Sequence, residues 1–114
     1  MEADRKPELL VDMFPELSVE LEQLLRVSSE HALAEQIPGL RVLDRCRCGD
    51  DFCATFYTRP KPKGPYGPGS RTVALEPNTG YLIVDVVDGS VATVEVLYRD
   101  EIRRNLLTKF PDKP

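Results

Sequence analysis

The dipeptide Asp88-Gly89 constrains this chain more than any other two residues. It stands between two runs rich in β-branched residues, 81–87 and 90–97. A two-residue hairpin turn needs positive φ at both central positions, and Asp-Gly meets that need at little steric cost. The chain must therefore carry an antiparallel hairpin. Both of its faces are partly apolar, as central strands require. Counted outward from a two-residue turn, the register puts Asp85 and Glu95 on opposite faces, which makes them a poor acid–base pair.

Further strands follow from period-two patterning. Leu40, Val42, Asp44, Cys46 and Cys48 share one face of a strand, and Arg41, Leu43, Arg45 and Arg47 the other. After Gly49-Asp50-Asp51-Phe52 a second strand over 53–58 pairs Cys48 with Cys53, Cys46 with Thr55 and Asp44 with Tyr57. Asp44 then sits on an apolar face and needs a donor, for which Tyr57 is the natural candidate. Residues 71–76 form a third strand, ended by Pro77-Asn78-Thr79-Gly80. Residues 59–70 hold four prolines and three glycines, which no sheet interior accepts, so they form a long loop.

Helices flank the strands. Pro7 suits the first position of a short helix over 8–13 that Pro15 stops. Ser18 reads as the N-cap of a longer helix, with Leu17 as a staple and Leu17, Leu21, Leu24, Leu25 and Ser28 on one face. That helix runs on through His31 to Gln36, before Pro38-Gly39. Ile102, Leu106 and Phe110 mark a C-terminal helix over 99–110. The expected fold is a single α+β domain spanning 1–114. Residues 1–38 are helical, 39–98 form one sheet of about five antiparallel strands, 99–110 pack on it as a helix, and 111–114 are a tail.

Size and charge narrow the function. A chain of 114 residues with 41% apolar side chains makes one domain with a real core. No run approaches the roughly 20 apolar residues of a membrane span, so the expectation is a cytoplasmic protein without a membrane partner. Residues 1–36 carry nine acids against Arg5, Lys6 and Arg26, while the remainder is mildly basic. Such asymmetry suits internal complementarity or a polar protein partner. Nucleic acid is not expected, because the domain is acidic and lacks a basic face interleaved with aromatic rings.

The most unusual stretch is Cys46-Arg47-Cys48-Gly49-Asp50-Asp51-Phe52-Cys53. Three cysteines cannot all pair in disulfides. The hairpin register brings the three sulfurs to one face, and thiolate zinc sites need such convergence. A fourth ligand would come from His31, Asp50, Asp51 or water. The spacing lacks the second Cys pair of zinc knuckles and contains no C-x-x-C redox motif. The leading reading of Cys46, Cys48 and Cys53 is therefore buried free thiols continuing the apolar face, with the neighbouring arginines in solvent. Zinc binding and thiol redox chemistry are the alternatives.

Loop 59–70 is basic and stiff, and Arg59, Pro62 and Pro65 fit a polyproline pattern read by aromatic grooves. Its Arg59, Lys61, Lys63 and Tyr66, with Arg71 beyond it and Glu20 and Glu22 on the acidic helix, are the candidate partner-binding residues. No catalytic residue is assigned: the single histidine has no supporting motif, and no phosphate cradle or nucleophile elbow is present. The segment Cys48-Gly49-Asp50-Asp51-Phe52-Cys53-Ala54-Thr55-Phe56-Tyr57, with the later hairpin, resembles small uncharacterised bacterial proteins of unknown function over residues 40–98. That resemblance implies no activity. The leading expectation is a non-catalytic interaction domain, similar in kind to immunity or antitoxin proteins that neutralise a basic partner. A metal-binding or thiol module is the alternative, and the hairpin's valine-bearing faces leave a homodimer open.

Overall fold

The computed structural model describes residues 7–62, 64 and 66–112. Lys63, Pro65 and the charged side chains of residues 1–6 lie outside the described residues. The elements are β1 (Glu8–Leu9), α1 (Leu10–Met13), α2 (Pro15–Val27), α3 (His31–Gln36), a 3₁₀ turn (Ile37–Gly39), β2 (Arg41–Val42), β3 (Asp44–Arg45), β4 (Phe56–Tyr57), β5 (Ser70–Ala74), β6 (Tyr81–Val87), β7 (Ser90–Leu97) and α4 (Asp100–Lys109). Five strands form an antiparallel sheet in the order β3-β4-β7-β6-β5, and β1 pairs with β2 in a separate ribbon. The fold is α+β, with α4 packed near the sheet.

One sheet face supplies Phe56, Val73, Leu82, Val84, Val94 and Val96, all buried. It shares a single apolar cluster with Leu10, Phe14, Leu17, Leu21, Leu25, Leu33 and Ile37 of the N-terminal helical region and with Ile102 and Leu106 of α4. Phe14 stands at the hinge between α1 and α2, its ring 5.9 Å from that of Phe56, and so seats the helices on the sheet.

The helices differ from expectation at three points. Glu8 and Leu9 are strand, because they pair with Val42 and Arg41. The short helix ends at Met13 as expected, but Pro15 itself starts α2, since an N1 proline lacks only an N–H that has no partner there. Ser18 is consequently interior, and its hydroxyl donates to the Phe14 carbonyl one turn back (3.0 Å). The expected single helix over 18–36 breaks at Ser29, which takes φ +62°. There Ser29 N–H bonds the Arg26 carbonyl (3.0 Å) and Glu30 N–H the Leu25 carbonyl (2.8 Å), a Schellman ending. Serine in the usual glycine position hid it. His31 therefore opens a separate short helix and is exposed.

The turn is as expected, with Asp88 and Gly89 at φ +51° and +83°. The ladder beyond it is not. Val87 faces Ser90 and Val86 faces Val91, but Asp85 faces Thr93, so Ala92 is an extra residue in a β-bulge. The bulge aligns Val84 with Val94 and Leu82 with Val96 on the buried face. It also brings Asp85, Thr93 and Glu95 to one face, correcting the expected separation of the two acids. Gly80 is obligatory in the preceding turn: it has φ +68°, and a Cβ would lie 2.3 Å from the Leu97 carbonyl oxygen.

The expected strand over 40–48 is divided. Val42 belongs to the ribbon with β1 and Asp44 to the main sheet, and the alternation slips by one residue where the chain changes partner. Val42 and Arg45 are both buried in consequence. The expectation that the arginines of this stretch face solvent fails at Arg45, which is only 8% exposed. Its guanidinium donates to the Phe110 carbonyl and to Asp112 (2.6 Å), tying the C-terminus to β3.

Candidate metal centre and the adjoining cleft

On the second face of the sheet, no helix residue among the described residues lines the surface cleft. The loop that follows β4 folds back over this face, anchored where Thr58 bonds the backbone of Ala92 and Val91 (2.9 Å each) and where Tyr66 and Thr93 share a hydroxyl hydrogen bond. Polar side chains on this face follow directly from the register. One cross-strand row reads Asp44, Tyr57, Thr93, Asp85 and Thr72. Carrying the ladder one pleat further sets Cys46 beside Thr55, whose carbonyl accepts the Cys46 N–H (2.8 Å), and Thr55 beside Glu95.

The cysteine hairpin closes at the end of this face. Asp44 pairs with Tyr57 as expected. Beyond Cys46 the two strands splay, Gly49 takes φ +86°, and Cys53 N–H bonds the Asp50 carbonyl (3.3 Å). Cys53 is then captured by the central hairpin, bridging to Leu97 between the Ala54–Val96 and Tyr98–Phe52 backbone bonds (2.7 and 2.9 Å). The three Sγ atoms converge, each within 4.8 Å of the others. All three cysteines are free thiols. They are not the buried hydrophobes of the leading sequence reading: Cys46 and Cys53 are half-buried and Cys48 is exposed. The one-residue slip after Val42 is the reason, because it turns Arg45 inward and the cysteines outward.

Asp44 also departs from expectation. Its carboxylate accepts from the Arg47 guanidinium (2.9 Å) and the Arg45 N–H (2.8 Å) and takes no hydrogen bond from Tyr57. Burial pushes the Tyr57 phenol up to about 12, with the neighbouring Cys46 and Tyr66 adding to it.

The thiols influence one another. At Cys48 a backbone hydrogen bond from Asp50 favours the thiolate, but burial and the adjoining Cys53 and Cys46 outweigh it and hold the thiol up at about 11. Burial opposes ionisation of Cys53 too, yet hydrogen bonds from Thr55, Cys48 and Cys46 prevail and lower it. Cys53 is therefore more readily ionised than Cys48. Among the described residues no further Cys, His, Asp or Glu joins the three sulfurs, so His31, Asp50 and Asp51 do not complete a fourth position.

Two concavities flank the cluster. On the α4 side all three cysteines, with Arg45, Arg47 and Arg103, line a hollow of about 220 Å³. On the outer sheet face Cys46 and Cys53 form one end of a cleft of about 410 Å³. Tyr57 and Tyr66 stand along it, and Asp50, Thr55, Lys61, Asp85, Thr93 and Glu95 form its polar lining. Burial pushes the Glu95 carboxyl up to about 7, aided by a hydrogen bond with Asp85 and by its charge. Sequence reasoning missed this carboxyl pair. The signal was present: an unbulged register sets Val84 and Leu82 against Thr93 and Glu95, an apolar-to-polar mismatch that one extra residue removes.

The candidate partner-binding residues fall in separate places. Lys61 and Tyr66 reach the cleft, the Lys61 ammonium lying 5.9 Å from the centre of the Tyr57 ring. Arg59 donates to the Val87 carbonyl (3.2 Å). Arg71 makes a two-pronged pair with Glu30 (2.9 Å each), whose carboxyl it holds below its ordinary range. Glu20 is gripped the same way by Arg99 (3.0 and 2.7 Å), and Glu22 lies 3.8 Å from Arg26. Among the described residues no helix is long and apolar enough to cross a membrane. Comparison with protein-family models, curated proteins and solved structures returned no match.

Proposed function

We propose that this chain is a small metal-binding module in which Cys46, Cys48 and Cys53 hold a thiophilic divalent cation, zinc foremost. The observation that carries the reading is the convergence of three sulfurs, from both arms of one hairpin, to within 4.8 Å of one another. Tetrahedral zinc with Zn–S bonds of about 2.3 Å places its thiolates about 3.8 Å apart, so closure asks for about 1 Å of side-chain adjustment. Three protein donors leave one coordination position for water or an exogenous ligand, the pattern of reactive rather than purely structural zinc. A reducing compartment suits three free thiols. Binding must displace protons, so affinity should fall as pH is lowered.

Zinc titration against a chromophoric chelator tests the reading. One zinc per chain is expected, with Cys48→Ser weakening affinity at least about tenfold through loss of one thiolate. Absence of binding, or binding indifferent to all three Cys→Ser changes, contradicts it.

A second reading, a protein-interaction domain similar to immunity or antitoxin proteins, is favoured by one observation. Phe52, Tyr98 and Tyr81 form an exposed aromatic run, with ring centres 5.3 and 5.8 Å apart. The acidic helices support that reading less, because Glu20 and Glu30 are already matched by Arg99 and Arg71. Its test is whether the double change Tyr81→Ser, Tyr98→Ser abolishes a complex formed by the wild-type chain while zinc loading persists.

A further inference from the structure

The cleft beside the thiols has a chemistry of its own. Its volume, about 410 Å³, lies in the range of small-molecule sites, roughly 300–1,000 Å³. Asp85 and Glu95 come from adjacent strands and face it together, brought there by the Ala92 bulge. Tyr57 and Tyr66 offer flat rings, and the Tyr66–Thr93 hydrogen bond holds the loop over the sheet.

We propose that this cleft binds a small organic amine, an ammonium group on a short stem with a flat apolar portion, its charge taken by Asp85 and Glu95 and its stem lying against Tyr57 and Tyr66. Two observations point to a cation. The chain already places an ammonium in the same cleft, Lys61 over the Tyr57 ring, showing that this aromatic wall accepts one. Asp85 and Glu95 lie on the same face of adjacent strands and line the cleft together, where like charges repel, and among the described residues no lysine or arginine forms an ion pair with either. A ligand ammonium replaces that repulsion with charge-assisted hydrogen bonds in a half-buried setting, where they are stronger than at an open surface. The upward shift of Glu95, set first by burial, carries the same repulsion. An anion is disfavoured by both acids. A neutral ligand would gain from the rings alone and leave the carboxyl pair as it is.

The inference does not depend on zinc, so its test uses the full-length chain carrying Cys48→Ser without metal. Phenethylamine is titrated while backbone amide NMR signals are followed, with 2-phenylethanol as its uncharged counterpart. Expected are shifts centred on Tyr66, Thr93 and Glu95, with the alcohol binding at least about tenfold more weakly, the loss of one charge-assisted contact. Glu95→Gln and Asp85→Asn should each weaken the amine by a similar factor while leaving the alcohol unchanged. Retained Val84 and Val94 signals establish that a variant is folded, and either variant alone suffices. Absence of shifts with the amine, equal binding of the alcohol, or amine binding indifferent to both substitutions would each overturn the proposal.

Discussion

The two faces of the five-stranded sheet are built from the same strands and do opposite things. On β7, Val94 and Val96 enter the core while Thr93 and Glu95 line the outer cleft. The inner face is closed: helices cover it, and Glu20 on α2 and Glu30 just before α3 find Arg99 and Arg71 within the chain. The outer face carries the loop that follows β4, and its cleft gathers Cys46 and Cys53, the Asp85–Glu95 carboxyl pair and two tyrosines. Alternation along a strand thus separates what stabilises the protein from what gives it chemistry. A change on one face should leave the other's property largely intact.

The largest disruption should come from the inner face. Phe56→Ala removes a fully buried ring that meets Phe14 and should cost about 3–5 kcal/mol in denaturant unfolding. A loss below about 1 kcal/mol would mean that the helices are not seated on this face. Cys53→Ser makes the reverse case. It should abolish or strongly weaken zinc binding while shifting the metal-free unfolding midpoint by less than about 1 kcal/mol, since a half-buried thiol is exchanged for a near-isostere. A large loss of metal-free stability would show that the faces are not separable there.

Glu95→Gln sharpens the comparison through pH. Glu95 titrates near 7 in the folded protein, above its ordinary value of 4.5. The unfolded chain therefore releases this proton first as pH rises. Its contribution favours folding most below pH 4.5, declines between 4.5 and 7, and levels off above. Discounted for solvent screening of a half-exposed group, the effect is about 1 kcal/mol. The glutamine variant should be more stable than wild type by about that amount at pH 8, with the difference vanishing near pH 4. Parallel pH profiles for the two proteins would remove Glu95 from this role. The smallest effect belongs to Arg71→Ala, a slight and salt-sensitive loss, because its pair with Glu30 lies at the surface. A thermal melt at low and high salt checks it.

How much of this could be read from the chain depends on how local the determinant is. Asp88-Gly89 announced its hairpin because a two-residue turn is decided by two residues. The pairing of Asp44 with Tyr57 and of Cys46 with Thr55 followed from one short loop and alternating side chains. Three features lay beyond that reach. The Ala92 bulge is chosen by apolar matching between Val84–Val94 and Leu82–Val96 across the strands. The turn of Arg45 inward comes from β2 and β3 taking different partners, one of them near the N-terminus. The helix break at Ser29 uses a serine where glycine would have been legible. Convergence of the cysteines was foreseen, but not their outward exposure, and the Asp85–Glu95 pair was hidden until the bulge corrected the register.

Native mass spectrometry of protein purified without chelator, followed by denaturation and alkylation, tests the metal reading most directly. Expected is one zinc per chain in the native state, with three thiols that alkylate only after the metal is released. A metal-free native mass with all three cysteines alkylating at once would contradict it, leaving the outer face to the carboxyl cleft alone.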